Sequence, residues 1–114
     1  MKVSVEDVFF SMMDAGASSF GDNWPEVATY AETEFKKMAQ QISDIANNVT
    51  ANAKDPAQGY DAQAGKILMD MQRISTISVL VAMSAMTMIM VEQAVNAMLD
   101  AVKGAVGGVL TTIL

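Results

Sequence analysis

Between Gly65 and Gly104 the chain contains neither proline nor glycine, the two residues that most readily interrupt a helix. The eighteen residues from Ile74 to Val91 carry no charge either. This predicts one helix over 60–103, about 65 Å long at ~1.5 Å per residue. Within it Ile67, Ile74, Val81, Met88, Val95 and Val102 recur every seven residues, with Met71, Ser78, Ala85, Glu92, Leu99 and Val106 as a weaker companion set. Such a repeat is the seam along which helices pack lengthwise. From Ile77 to Val91 the remaining positions, Met83 and Met86 among them, are almost all apolar. A helix without a polar face is buried on all sides, by protein or by lipid.

The rest of the chain offers only partial cover. Ser4 and Asp7 approximate a capping box, and Val8, Phe9, Met12 and Met13 follow as a short apolar stripe, so a short helix is predicted over 5–15. The small and polar residues from Gly16 to Asn23 read as a connector, which makes the first helix a mobile appendage. Asn23, Pro25 and Glu26 form a helix start, with Asn23 as the cap and Glu26 at the box position; Trp24 beside them reads as a hydrophobic staple. From there Ala31, Phe35, Met38, Ile42, Ile45 and Val49 step by four and three, giving an amphipathic helix over 24–52 with one dry face. Its other face, including Lys36, Lys37, Ser43, Asn47 and Asn48, reads as solvated. Asp55 and Pro56 mark a turn over 53–59, with Asp55 as the cap of the next helix. Residues 104–114 form an uncharged tail with Val106, Val109, Leu110, Ile113 and Leu114.

These elements predict a single all-α domain over 1–114: an antiparallel helical hairpin with a very long apolar C-terminal helix and a short N-terminal helix. A helix of about 44 Å with one narrow stripe cannot cover a partner of about 65 Å on all sides. Oligomerisation completes the fold in this reading. The predicted self-association interface comprises Ile67, Ile74, Val81, Met88, Val95, Val102, Met83 and Met86, together with Val109, Leu110, Ile113 and Leu114 of the tail.

The inventory of reactive side chains is short. With no His and no Cys, catalytic triads, thiol nucleophiles and most transition-metal sites are excluded. Glu26, Glu32 and Glu34 cluster without the histidines of a di-iron bundle, and the methionines point around the helix instead of converging on a copper ion. No catalytic residue and no cofactor is therefore expected. A net charge of -6 repels phosphate backbones, so nucleic acid is not an expected partner. The acids of the N-terminal segment precede any apolar run of signal-peptide length, so no cleavable signal is expected.

At Lys54-Asp55-Pro56, followed by a helix carrying Leu68-Met69-Asp70-Met71-Gln72-Arg73-Ile74-Ser75, the sequence resembles the small axial subunits of type III secretion systems. These are the needle and inner-rod proteins and the flagellar rod-adapter protein. The resemblance covers residues 24–103. It implies a helical hairpin that assembles in many copies around a channel, exported without a cleavable signal, with an export chaperone or membrane apparatus as a further partner. The continuously apolar Ile77–Val91 stretch departs from the polar-studded helices of that group.

The first functional expectation is therefore a structural subunit that self-assembles into a filament or tube of a secretion or envelope apparatus. The second is a small helical membrane protein, holin-like or from a virion membrane, spanning with 74–91. A third is a binding module that folds on a different protein.

Overall fold

The computed structural model describes residues 3–114, and its fold is all-α. Five helices follow one another: α1 (Val5–Phe20), α2 (Trp24–Lys54), α3 (Ala62–Met83), α4 (Met88–Val106) and the short α5 (Leu110–Ile113). Helix α1 packs on α2 and on α4, α3 packs on α2 and on α4, and α5 lies mainly against α3. The start of α3 sits beside the end of α2, where the Cα of Gly65 approaches Val49 and Ile45, and the end of α3 reaches Glu26 at the start of α2. Both ends of α4 lie against the opposite ends of α1. Successive helices thus run antiparallel, and α4 closes the ring on α1 in a bundle of 46 × 21 × 19 Å.

Helix α1 starts as its sequence indicates: the Asp7 amide donates to Ser4 Oγ at 3.4 Å, and Glu6 and Asp7 lie in the positive first turn. It runs on to Phe20 and is no appendage, because Val8, Met12 and Phe20 are buried. Gly16 does not break it. A Cβ there would stand 2.7 Å from Phe35 Cε2, so the missing side chain makes room for the Phe20, Trp24 and Phe35 cluster, whose rings lie 6.0 and 6.2 Å apart. Trp24 fills the corner between α1 and α2. The N-terminal segment is fixed as well: Ser43 Oγ donates to the Val3 carbonyl at 2.6 Å, and the Val3 amide donates to Asn47 Oδ1 at 3.3 Å. Two residues read as part of a solvated face are a clamp on the backbone of the chain's first segment.

Helix α2 buries Val27, Ala31, Phe35, Met38, Ile42, Ile45 and Val49, widened by Ala39 and Ala46 toward a second neighbour. Asn23 precedes it without a side-chain capping bond. At the far end Asp55 accepts from the Ala57 amide at 3.0 Å in a local turn, and the cap of α3 is Asp61, which accepts from the Ala64 amide at 2.9 Å. Helix α3 approaches α2 closely at Gly65. A Gly65→Ala chain would place Cβ 2.8 Å from Val49 Cγ2, and is expected to lose about 1–3 kcal/mol, read as a lower denaturant midpoint at unchanged slope.

The single helix over 60–103 is replaced by two, with an extended joint between them. Ser84 (φ -132°, ψ 171°) ends α3, and Thr87 (φ -74°, ψ 159°) caps α4 by accepting from the Met90 amide at 3.2 Å. Ser84 Oγ accepts from the Met86 amide at 3.2 Å, and the Ala85 amide donates to the Glu26 carboxylate. Three of the amides that a continuous helix would bond, those of Ala85, Met86 and Met90, are thereby given side-chain acceptors, while the turn lets α4 bury Val91, Val95, Met98, Leu99 and Val102 on its own chain. At roughly 1.5–3 kcal/mol for each large apolar side chain, that burial outweighs the interruption. After α4, Gly107 and Gly108 at positive φ turn the chain back, and the tail buries Leu110 and Ile113 inside the same molecule.

Candidate interaction surface

Helix α3 is apolar on two opposite sides. Toward the bundle it presents Gly65, Met69, Thr76, Ile77 and Leu80. At ~100° per residue, Ile67, Met71, Ile74 and Ser78 fall on the other side, and Ile67, Met71 and Ile74 are 56–63% exposed. Leu68 flanks them, also exposed. Ser78 does not make the stripe polar, since its hydroxyl donates to the Ile74 carbonyl of the same helix at 2.9 Å. Lys66, Asp70 and Arg73 edge the stripe on one side, with Arg73 and Asp70 paired. A partly exposed pair of this kind orients side chains and adds little stability.

A second exposed apolar group surrounds the joint: Met83, Met88, Ile89 and Met90. The interface inferred from the sequence is therefore divided. Ile67, Ile74, Met83 and Met88 are on the surface, Val81, Val109 and Leu114 are half-buried, and Met86, Val95, Val102, Leu110 and Ile113 belong to the molecule's own core. The interface inferred from the sequence left out Leu68, Met71, Ile89 and Met90. All four lie off the main seven-residue seam: Ile89 and Met90 belong only to the apolar run, Met71 to the weaker companion set, and Leu68 to neither.

Among the described residues no group of three or more Asp or Glu side chains is placed to hold a metal ion. A cleft of about 490 Å³ between the start of α1 and the turn after α4 is lined by Ser4, Asp7, Ser11, Thr50, Val106 and Val109. It offers hydroxyls and one carboxylate, with no Lys or Arg in its lining. Buried Glu34 is paired with exposed Lys37 at 3.1 Å on the outside of α2. Tyr60, at the far end of the bundle, has its phenol pushed above the ordinary range, chiefly by burial; a hydrogen bond with Asn48 opposes the rise and Asp44 adds to it.

Among the described residues no helix is long and apolar enough to cross a membrane. The span inferred over 74–91 is interrupted by the joint and divided between α3 and α4. Compared with protein families, curated proteins and solved structures, the chain matches none.

Proposed function

We propose that this chain is a non-catalytic structural protein that assembles with further copies of itself, as the subunits of secretion or envelope filaments do. The observation that carries the reading is the outward face of α3, where Ile67, Met71 and Ile74 form a stripe opposite the buried one. Stability of one molecule does not need these side chains there. Together with Leu68, Met83, Met88, Ile89 and Met90 they make eight large apolar side chains that are each at least 40% exposed. Methionine suits such a surface because its flexible thioether adapts to a neighbour's contours. The stripe on the side and the group at the joint are also different surfaces, and a contact between unlike surfaces propagates into open assemblies when the rotation does not close.

An Ile74→Asp chain tests this directly. It is expected to keep the folding stability of the parent within about 0.5 kcal/mol, because the site is exposed, while self-association weakens tenfold or more. Sedimentation velocity over a concentration series gives the association, and denaturant unfolding gives the stability. Equal sedimentation of parent and variant at every concentration would remove the α3 face from the assembly.

A further inference from the structure

The joint between α3 and α4 breaks a helix without breaking its pattern. On α3 the buried positions include Met69, Thr76 and Leu80, and on α4 they include Ala94, Met98 and Val102. If residues 62–106 are read as one helix, Met83, Thr87 and Met90 fall between Leu80 and Ala94 at steps of three and four. The two buried faces then form one seam, their mean directions differing by about 45° at ~100° per residue. Met83 and Met90, 52% and 41% exposed in the closed bundle, lie midway along that seam and toward one edge of it. Nothing in Ser84-Ala85-Met86-Thr87 resists helix, since none is proline or glycine and no residue there has positive φ. What holds the joint extended are the three side-chain acceptors Glu26, Ser84 and Thr87.

From this continuity we propose that the joint is an exchange hinge, and that the partner is a second copy of the chain. Ser84 to Thr87 become helical, α3 and α4 fuse into one helix over 62–106, and α4 with α5 closes the ring on α1 and α3 of the other copy. The fused helices of two copies lie side by side and antiparallel, each with its buried seam turned to the same side. Every contact that α4 makes in the closed bundle is remade with the partner, so the exchange sacrifices the three joint bonds and the burial of Met86 at the joint, and recovers helical hydrogen bonds. Met83 and Met90, at the centre of the fused helix, face the place where the two bundles abut. On the outside the fusion extends the α3 stripe through Val81 and Ala85 to Met88, which lengthens the surface for further assembly.

This inference rests on self-association but needs the hinge as well, and proline separates the two. Met88 is the first residue of α4, where proline's missing N–H costs nothing, and Thr87 before it already has the extended backbone that proline demands. In the fused helix the same proline would be interior and would break it. The full chain, its Met88→Pro, Thr87→Ala and Ile74→Asp variants are refolded at high and low concentration, then measured by light scattering after size exclusion, with far-ultraviolet circular dichroism to verify helix content. The parent is expected to form a dimer that dissociates slowly on dilution, and Met88→Pro to remain monomeric with its helix content intact. Thr87→Ala, lacking the cap that favours the closed joint, is expected to raise the exchanged form about fivefold per copy. If parent and Met88→Pro dimerise alike while Ile74→Asp does not, the exchange is overturned and surface association stands. Should Met88→Pro fail to fold, Thr87→Ala decides: a dimer fraction no higher than the parent's overturns the exchange. Monomers throughout would overturn both the exchange and self-association.

Discussion

A Phe35→Ala chain is expected to lose about 3–5 kcal/mol of folding stability, as large aromatic truncations in closed cores do. Phe35 is fully buried near the centre of α2, stacked on Trp24 and pressed against Gly16 of α1. No neighbouring side chain can collapse into its place without breaking the helix register, so most of the cavity persists. Small domains hold about 5–15 kcal/mol in all, which makes this one substitution a large fraction of the total. Chemical denaturation followed by circular dichroism checks it. A loss below about 1 kcal/mol would mean that the α1–α2 corner is loosely packed.

The second large effect lies at the α2–α3 connection. Gly59 has φ of +55°, and a Cβ built on it would stand 2.1 Å from the Asn48 carbonyl oxygen and 2.9 Å from its carbonyl carbon. Both contacts are with backbone inside α2, which cannot swing aside as a side chain would. Gly59→Ala therefore combines the left-handed penalty of about 1–2 kcal/mol with the displacement of the connector, about 2–5 kcal/mol together. Asn52 shares in the cost, because its amide donates to the Pro56 and Gln58 carbonyls at 3.3 and 3.0 Å and holds the same turn. Thermal unfolding of the variant is the measurement, and an unchanged midpoint would show that the connector rearranges freely.

How far the fold was legible depends on whether local chemistry or distant contacts decide each element. The stripe of α2 was readable because Ala31, Phe35, Met38, Ile42, Ile45 and Val49 all point to one side, and burial follows directly from that periodicity. The joint was not readable. Ser84 and Thr87 are ordinary capping residues, but they sit among alanines and methionines that favour helix, and the third acceptor at the joint, Glu26, lies 59 residues from the Ala85 amide that donates to it. Gly16 misled for the opposite reason: a residue that usually marks a boundary was needed for the close approach of an aromatic ring. Asp55 and Asp61 are both plausible caps by type. The connector's compact turn through Gly59 gives the role to Asp61.

The candidate surface was half legible on the same grounds. The seam through Ile67 and Ile74 is readable as an apolar line, yet α3 carries a second line through Met69, Thr76 and Leu80 on its opposite side. Periodicity finds both and cannot say which one α2 and α4 will take. Gly65 settles it, because its lack of a side chain lets α2 come close on that side alone. A seven-residue repeat drifts by about 20° per step on a 3.6-residue helix, so along the chain the seam comes round toward the buried side, and Val95 and Val102 are covered while Ile67 and Ile74 are not.

The closure of α4 on α1 joins the two ends of the sequence, and this has a consequence for synthesis. A ribosome delivers α1, α2 and α3 before the residues that complete their ring, and the stretch 84–106 takes roughly 1–5 s to make at about 5–20 residues per second. During that interval the nascent three-helix unit leaves uncovered the side of α1 that α4 will occupy. Contacts of such long sequence separation also form late for entropic reasons. On a polysome, the α4 that arrives first need not be the one on the same chain.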